Sequence, residues 1–151
     1  MADSLRQQII NTVDTRLKTI KIANGYETDI GLNVNRWKAI PISSDKEYEL
    51  IYRDVSEDAS AENAAIGKHE HTLHFEVEII TKAGSISDNQ IRKMIADIEK
   101  SISAGETWGG LAQRTIPEGN EINILQSEKI IGGAIIRFAI IYRTNRWNPY
   151  S

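Results

Sequence analysis

The chain has 151 residues, no cysteine and a formal net charge of −3 at pH 7. This length favours one domain with its own hydrophobic core, and the lack of cysteine excludes disulfides, thiolate metal sites and cysteine nucleophiles. The acidic balance disfavours a protein whose main task is to grip nucleic-acid phosphates. The most hydrophobic segment, residues 130–142, is too short to span a bilayer, which takes ~20 residues. The N-terminal residues show no secretory signal, so we expect the protein to start in the cytoplasm.

The first predicted element is an amphipathic helix over residues 4–21. Ser4 and Gln7 form a capping box at its start, and the pair Asn24-Gly25 is typical of a left-handed helix end. The apolar residues recur at the spacing of a single helical face; they are Leu5, Ile9, Val13, Leu17 and Ile20.

Two extended segments are predicted after this helix. Residues 26–37 are expected to place Ile30, Leu32 and Val34 on one face of a strand. Pro41 then bends the chain, and the alternation of apolar residues over 47–55 predicts a second strand.

An acidic segment separates these strands from the clearest strand of the chain. Residues 54–67 contain four carboxylates and no basic residue, which predicts a long loop or an extended hairpin arm. Residues 69–79 then alternate strictly between the two faces of a strand. Leu73, Phe75 and Val77 share the core face with His69 and His71.

A second helix and a hairpin complete the predicted fold. Ser87 and Gln90 form a capping box, and the buried stripe of the helix is followed by a glycine-rich loop over 105–119. Residues 121–127 and 133–143 are predicted to pair as a hairpin. The predicted fold class is therefore α+β, with two helices packed on one mostly antiparallel β-sheet and a long loop or hairpin arm. The helix stripe is Ile91, Met94, Ile95, Ile98 and Ile102, and the predicted polar face is Lys93, Asp97 and Lys100.

The only constellation that suggests chemistry is the histidine-rich start of the third strand. His69 and His71 would share a face about 6.6 Å apart, but His74 points to the other face, so a third metal ligand is missing locally. No nucleophile elbow and no phosphate-binding glycine loop occur in the sequence. We therefore predict no catalytic residue, no metal ligand and no cofactor, and interpret Glu70, Glu76 and Glu78 as a solvated strand face.

Large aromatic residues in predicted loops favour protein contacts instead. Such residues are frequent anchors of interfaces, although a single tryptophan can equally fold back over its own core. Residue type and loop position together predict a set of interface residues. The set is Trp37, Glu57, Asp58, Glu62, His69, His71, Trp108, Arg146, Trp147 and Tyr150.

The order of these segments resembles the tail terminator proteins of long-tailed bacteriophages and prophages, the group similar to minor tail protein U. The resemblance covers nearly the whole chain, as one domain over residues 1–151. It is carried by a Gly-Tyr turn at 24–31 (NGYETDIG), a strand at 48–54 (YELIYRD), the alternating strand at 71–77 (HTLHFEV), the helix at 88–98 (DNQIRKMIADI), the segment WGGLA at 108–112 and the terminal RWNPY at 146–150.

The resemblance implies a ring, typically of six subunits, on the head-proximal end of the tail tube. Such a ring ends tube polymerisation and offers a docking surface for the neck. The implied partners are other copies of the chain, the tail tube protein, the neck or head-completion protein and, in a contractile tail, the sheath protein. DNA would pass through the lumen without specific binding, and the protein would reside in the virion after assembly in the host cytoplasm.

Three alternatives remain at this point. Another neck or head-completion protein would also be a small ring former. A small metal-dependent hydrolase would use His69, His71 and a carboxylate, and a DNA-binding module would bind duplex with a steep salt dependence.

Overall fold

The computed structural model describes residues 2–37, 47–61, 64–81, 88–126 and 130–151. It has the predicted α+β architecture. The two helices are α1 (Leu5–Leu17) and α2 (Asp88–Ser103), and the strands are β1 (Val34–Arg36), β2 (Tyr48–Ser60), β3 (Lys68–Thr81), β4 (Arg114–Gln126) and β5 (Ile130–Asn145).

The five strands form one sheet in the order β1-β2-β3-β5-β4. β1 pairs with β2 in parallel, and every other pair is antiparallel. β5 therefore lies between β3 and β4, inside the sheet, which is one of the two placements that its two apolar faces predict. Ile140 on one face is 0% exposed and Ile141 on the other is 5% exposed.

The core lies between one face of the sheet and the two helices. Each fully buried aliphatic or aromatic side chain contributes about 1.5–3 kcal/mol through the area it removes from water. The predicted stripes of both helices supply their side of this core, and the predicted core face of β3 supplies the other. The core includes Ile9, Val13 and Leu17 of α1, Ile91, Met94 and Ile98 of α2, and Leu73, Phe75, Val77 and Ile79 of β3.

α1 begins as predicted but ends earlier. Ser4 Oγ accepts a hydrogen bond from the Gln7 backbone N–H at 3.1 Å, so the N-cap is confirmed. The helix ends at Leu17, and Gly25, with φ +89°, ends a separate 3-10 turn, Ile22–Asn24, rather than α1. Ile20 lies beyond the end of the helix and is still part of the core, where it is 0% exposed.

The predicted strand over residues 26–37 is mostly wrong. Only Val34–Arg36 forms a strand, and Ile30–Leu32 forms a 3-10 turn that buries Ile30 and leaves Leu32 59% exposed. Close packing against the end of α1 causes this turn. A Cβ on Gly31 would lie 2.7 Å from the carbonyl oxygens of both Leu17 and Ile20, so only glycine fits there.

The acidic segment is a hairpin arm, one of the two predicted alternatives. β2 runs on to Ser60 and β3 begins at Lys68, with an irregularity in register between Asp54 and Ser56. β2 thus runs well beyond its predicted end at residue 55, whereas β3 stays close to its predicted bounds of 69–79. Glu62, a predicted interface residue, lies outside the described residues, as do Pro41 and Ser87.

The last hairpin is also longer than predicted. β4 starts at Arg114, inside the predicted loop, and β5 includes Gly132 and Gly133. At Gly133 the backbone of β3 lies too close for a side chain, because a Cβ there would lie 2.5 Å from the Ile79 carbonyl oxygen. Among the described residues, neither helix is both long enough and apolar enough to traverse a bilayer.

Candidate functional site

The C-terminal turn, residues 146–150, packs over the end of the hairpin arm and forms an open apolar cleft with it. The Arg146 N–H donates to the Gly67 carbonyl at 3.0 Å, and the Leu5 N–H donates to the Pro149 carbonyl at 2.9 Å. These two bonds hold the turn between the arm and the start of α1. We call the resulting space, of about 450 Å³, the terminal cleft; its lining includes Ala59, Ala61, His69, His71, Trp147 and Pro149.

Three of the predicted interface residues meet in this cleft. The ring centroids of His69 and His71 are 6.5 Å apart, on the face of β3 that the alternation predicts. His69 packs edge to face on Trp147 at 5.0 Å, and His71 stacks on Tyr142 at 4.7 Å. The cleft is therefore lined by aromatic rings that pack on one another.

Glu57, a predicted interface residue, makes its contacts within its own chain, next to His71 of the cleft. Its carboxylate accepts a hydrogen bond from the Tyr142 hydroxyl and lies 3.7 Å from the Arg6 guanidinium. Burial, together with this carboxylate, raises the pKa of Tyr142 well above its ordinary value. His71 Nδ1 is 3.5 Å from Glu57 Oε2 without hydrogen-bond geometry, while His71 Nε2 lies 2.9 Å from Thr144 Oγ1. Glu57 therefore organises the floor of the cleft rather than offering a free charge.

Among the described residues, the side chains of the cleft are not arranged as a metal-binding site. In that part of the chain no three histidine, aspartate or glutamate side chains are grouped so that they could hold an ion. His69 and His71 turn their rings toward Trp147 and Tyr142, and His74 lies on the opposite face of β3.

Three of the four predicted aromatic interface residues lie on the surface. Trp147 is 86% exposed and Tyr150 is 59% exposed, and both belong to the C-terminal turn. Trp37 is 56% exposed and lies at the base of the arm, where its indole N–H donates to Asp54 Oδ1 at 2.8 Å. Arg146 is also exposed.

The prediction that Trp108 contacts a partner is wrong. Its indole is 1% exposed and is stacked against Phe138, with ring centroids 6.2 Å apart. The loop that carries it folds back over the core, as a lid. The sequence did not distinguish Trp108 from Trp147, because each lies in a segment that predicts a loop. Two glycines follow Trp108, and Asn148-Pro149 follows Trp147.

The opposite face of the sheet is a solvated, charged surface, as predicted for the glutamates of β3. Each of them faces an arginine of a neighbouring strand at 3.2 Å. The pairs are Glu70 with Arg143, Glu76 with Arg137 and Glu78 with Arg53.

His74 forms a three-strand contact on this charged face that the sequence did not indicate. Its Nδ1 lies 2.8 Å from Glu118 of β4, and its Nε2 lies 3.0 Å from Asp58 of the arm. Glu118 lies within a register irregularity of β4 between Pro117 and Asn120, and the small Ala139 of β5 pairs with His74. The two carboxylates raise the pKa of His74 above 6.5, because only the charged imidazolium donates to both. Asp58, a predicted interface residue, is thus tied to its own sheet.

This contact predicts a pH-dependent stability. Because the pKa is raised in the folded state, the stabilisation is fully present below about pH 6.5 and is lost as the pH rises through the pKa of folded His74. In urea titrations between about pH 6 and 8, we expect wild type to lose about 0.5–1 kcal/mol more than His74→Gln. His69→Gln, on the other face, should retain the wild-type loss. Parallel profiles for wild type and His74→Gln would show that the contact does not titrate.

No protein-family model matches the chain, and no curated protein matches it either.

Proposed function

We propose that this protein is a phage tail terminator that works by shape, without bond-making. In this proposal copies of the chain form a closed ring, hexameric as in the group it resembles, on the head-proximal end of the tail tube. The observation that carries it is the concentration of exposed apolar side chains around the terminal cleft. Ile66 is 105%, Trp147 86% and Tyr150 59% exposed there. Monomeric proteins rarely expose such groups together unless they bind another protein.

The shape of the sheet supports a head-to-tail ring. Its two edges differ: β4 forms one, while β1 covers only Leu50–Tyr52 of β2 at the other. The hairpin arm lies next to the C-terminal end of β5, whereas the last residues of β4 pair with the N-terminal end of β5. A cyclic ring needs two different, complementary surfaces on each subunit. The arm at one end of β5 and the β4–β5 pair at the other end offer two such surfaces.

The charge of the chain is compatible with a DNA-conducting lumen. Six copies at −3 each carry −18, so duplex DNA would pass without adhering. The partners in this proposal are the tail tube protein, the neck protein and, in a contractile tail, the sheath protein.

Deletion of the gene from the phage or prophage that encodes it tests the proposal. We expect electron micrographs to show tails of irregular, excessive length, because nothing would stop the tube. A plasmid copy should restore normal length, whereas the same copy with Trp147→Ala should not, although that variant should fold normally because Trp147 is mostly exposed. Leu32→Ala, which removes an equally apolar exposed side chain outside the C-terminal turn, is the matched control.

Two other phenotypes would contradict the proposal. Tails of normal length beside unjoined heads would assign the protein to the neck or to head completion. Normal particles of full infectivity would remove it from the virion, and one bound zinc or manganese per purified chain would then favour the hydrolase alternative.

A further inference from the structure

The tip of the hairpin arm presents one fully exposed isoleucine in a fixed turn. The Lys68 N–H donates to the Ala65 carbonyl at 2.9 Å, and Gly67 has φ +80°, as the third position of a type II turn requires. Ile66 is therefore at the corner of the turn, 105% exposed. The bond from Arg146 to Gly67 ties the turn to the end of β5. The backbone of Ile66 is thus held by hydrogen bonds while its apolar side chain is fully exposed. We call this side chain the knob.

A mostly apolar groove of about 290 Å³ lies beside the edge strand β4, between that strand and the last turns of α2. We call it the edge groove. Ile102, Ile136 and Phe138 line it, and Pro117 of the irregular part of β4 forms a wall. Its volume is ample for one aliphatic side chain. Glu99, Glu106 and Arg137 also line it. The Arg137 guanidinium is already paired with Glu76 and Glu121, which leaves the two glutamates, among the described residues, as the unpaired charges of the groove.

The charges beside the knob and the groove are complementary. Glu99 and Glu106 form no ion pair with any described residue, although Glu99 accepts a hydrogen bond from Asn120. Lys68 and Arg146, which flank the knob, likewise form no ion pair within the described ranges, and Lys68 bonds only to the neutral Asn145 side chain. Two cations and two anions are therefore each available to a partner of opposite charge.

The knob cannot fill the groove of its own chain. Lys68 is paired with Asn145, and the groove is lined by Phe138, seven residues back along β5. At about 3.3 Å per residue the two features are about 23 Å apart along the sheet. Only a second copy can bring an Ile66 to the edge groove.

We propose that Ile66 of one copy inserts into the edge groove of the next, with Lys68 and Arg146 facing Glu99 and Glu106. This inference rests on the proposed ring and names its contact. The two surfaces are different: one is the turn between β2 and β3, and the other lies beside the edge strand β4. Each copy can therefore use one surface toward each neighbour, as a heterologous closed ring requires.

Cysteine cross-linking tests the contact directly, since the chain has no cysteine of its own. A mixture of Ile66→Cys and Ser103→Cys proteins should give a mixed dimer under mild oxidation, because Ser103 lines the edge groove. The double variant should give a ladder of covalent oligomers that ends in a closed ring. A mixture of Ile66→Cys and Lys93→Cys should give none, since Lys93 is on the same helix but about 15 Å away.

A charge swap provides an independent readout. Lys68→Glu or Glu99→Lys alone should raise the protein concentration needed for half assembly, and the two together should recover part of the loss. Ile66→Ala should raise it about tenfold, as for a central interface residue. Mass measurement in solution reports the assembly.

The outcomes separate this contact from the proposed function. A wild-type ring without the mixed dimer, or one that Ile66→Ala leaves unchanged, would overturn the knob-and-groove contact and leave the terminator proposal standing. A chain that stays monomeric at all concentrations, alone and with tail tubes, would overturn both. Cross-links between two Ile66→Cys proteins would indicate a symmetric dimer instead of a head-to-tail ring.

Discussion

Replacing Trp108 with alanine should lower the free energy of unfolding by about 3–5 kcal/mol, the range for truncating a buried aromatic residue. The indole is 1% exposed and lies between Phe138 and the Arg16 guanidinium, which stands 4.1 Å from the ring centroid. Its Nε1–H donates to Thr115 Oγ1 at 2.8 Å. Alanine would leave a large cavity at the centre of the lid and remove the partner of Arg16. Urea unfolding followed by circular dichroism measures the loss.

Trp108→Phe is the matched control for this experiment. Phenylalanine keeps a ring against Phe138 but gives up the hydrogen bond to Thr115, so we expect a loss of about 1–2 kcal/mol. If Trp108→Ala unfolded like wild type but failed to assemble, the indole would belong to an interface after all. If both variants lost stability equally, the hydrogen bond would outweigh the packing.

Replacing Asp97 with alanine should cost about 2–4 kcal/mol, although the sequence places this residue on the polar face of α2. The structure corrects that placement: Asp97 is 2% exposed. Its carboxylate accepts hydrogen bonds from the backbone N–H groups of Glu27 and Thr28 at 3.2 and 2.8 Å, and from Thr28 Oγ1 at 2.6 Å. Alanine would strand these donors in a dry site, and each unsatisfied buried donor costs about 1–3 kcal/mol.

Two variants bracket the Asp97 experiment. Asp97→Asn keeps the shape but turns one acceptor into a donor that faces other N–H groups, so it should also destabilise, by less than alanine. Asp88→Ala, at an exposed position of the same helix, should change the free energy of unfolding by about 0.5 kcal/mol or less. Equal losses of unfolding free energy for Asp88→Ala and Asp97→Ala would mean that the hydrogen bonds from residues 27–28 to Asp97 add no stability.

Elements with strong periodicity were predicted correctly because their burial is decided locally. In β3 every second residue is apolar, so Leu73, Phe75 and Val77 can all reach the core only in one register. The stripe of α2 is equally unambiguous. The prediction failed for residues 26–37, where Gly31 packs on the end of α1 at a distance that no pattern within the segment reveals.

The candidate site was predicted in part for the same reason. His69, His71 and Trp147 were singled out by residue type, and they do meet in the terminal cleft. Their meeting depends on the C-terminal turn, which backbone hydrogen bonds join to Gly67 and to Leu5 across the molecule. The edge groove had no signal at all, since its walls come from α2, β4 and β5.

The amino-acid sequence by itself determined the fold class, the two helices and the inward face of β3, because alternation and helical spacing act over neighbouring residues. Only the tertiary structure decided that Trp108 and Asp97 are interior, that Trp147 and Ile66 are exposed, and that His74 contacts a carboxylate on either side. Burial of an isolated polar or aromatic residue depends on which distant segment covers it, and that covering is settled by the packing of the whole sheet.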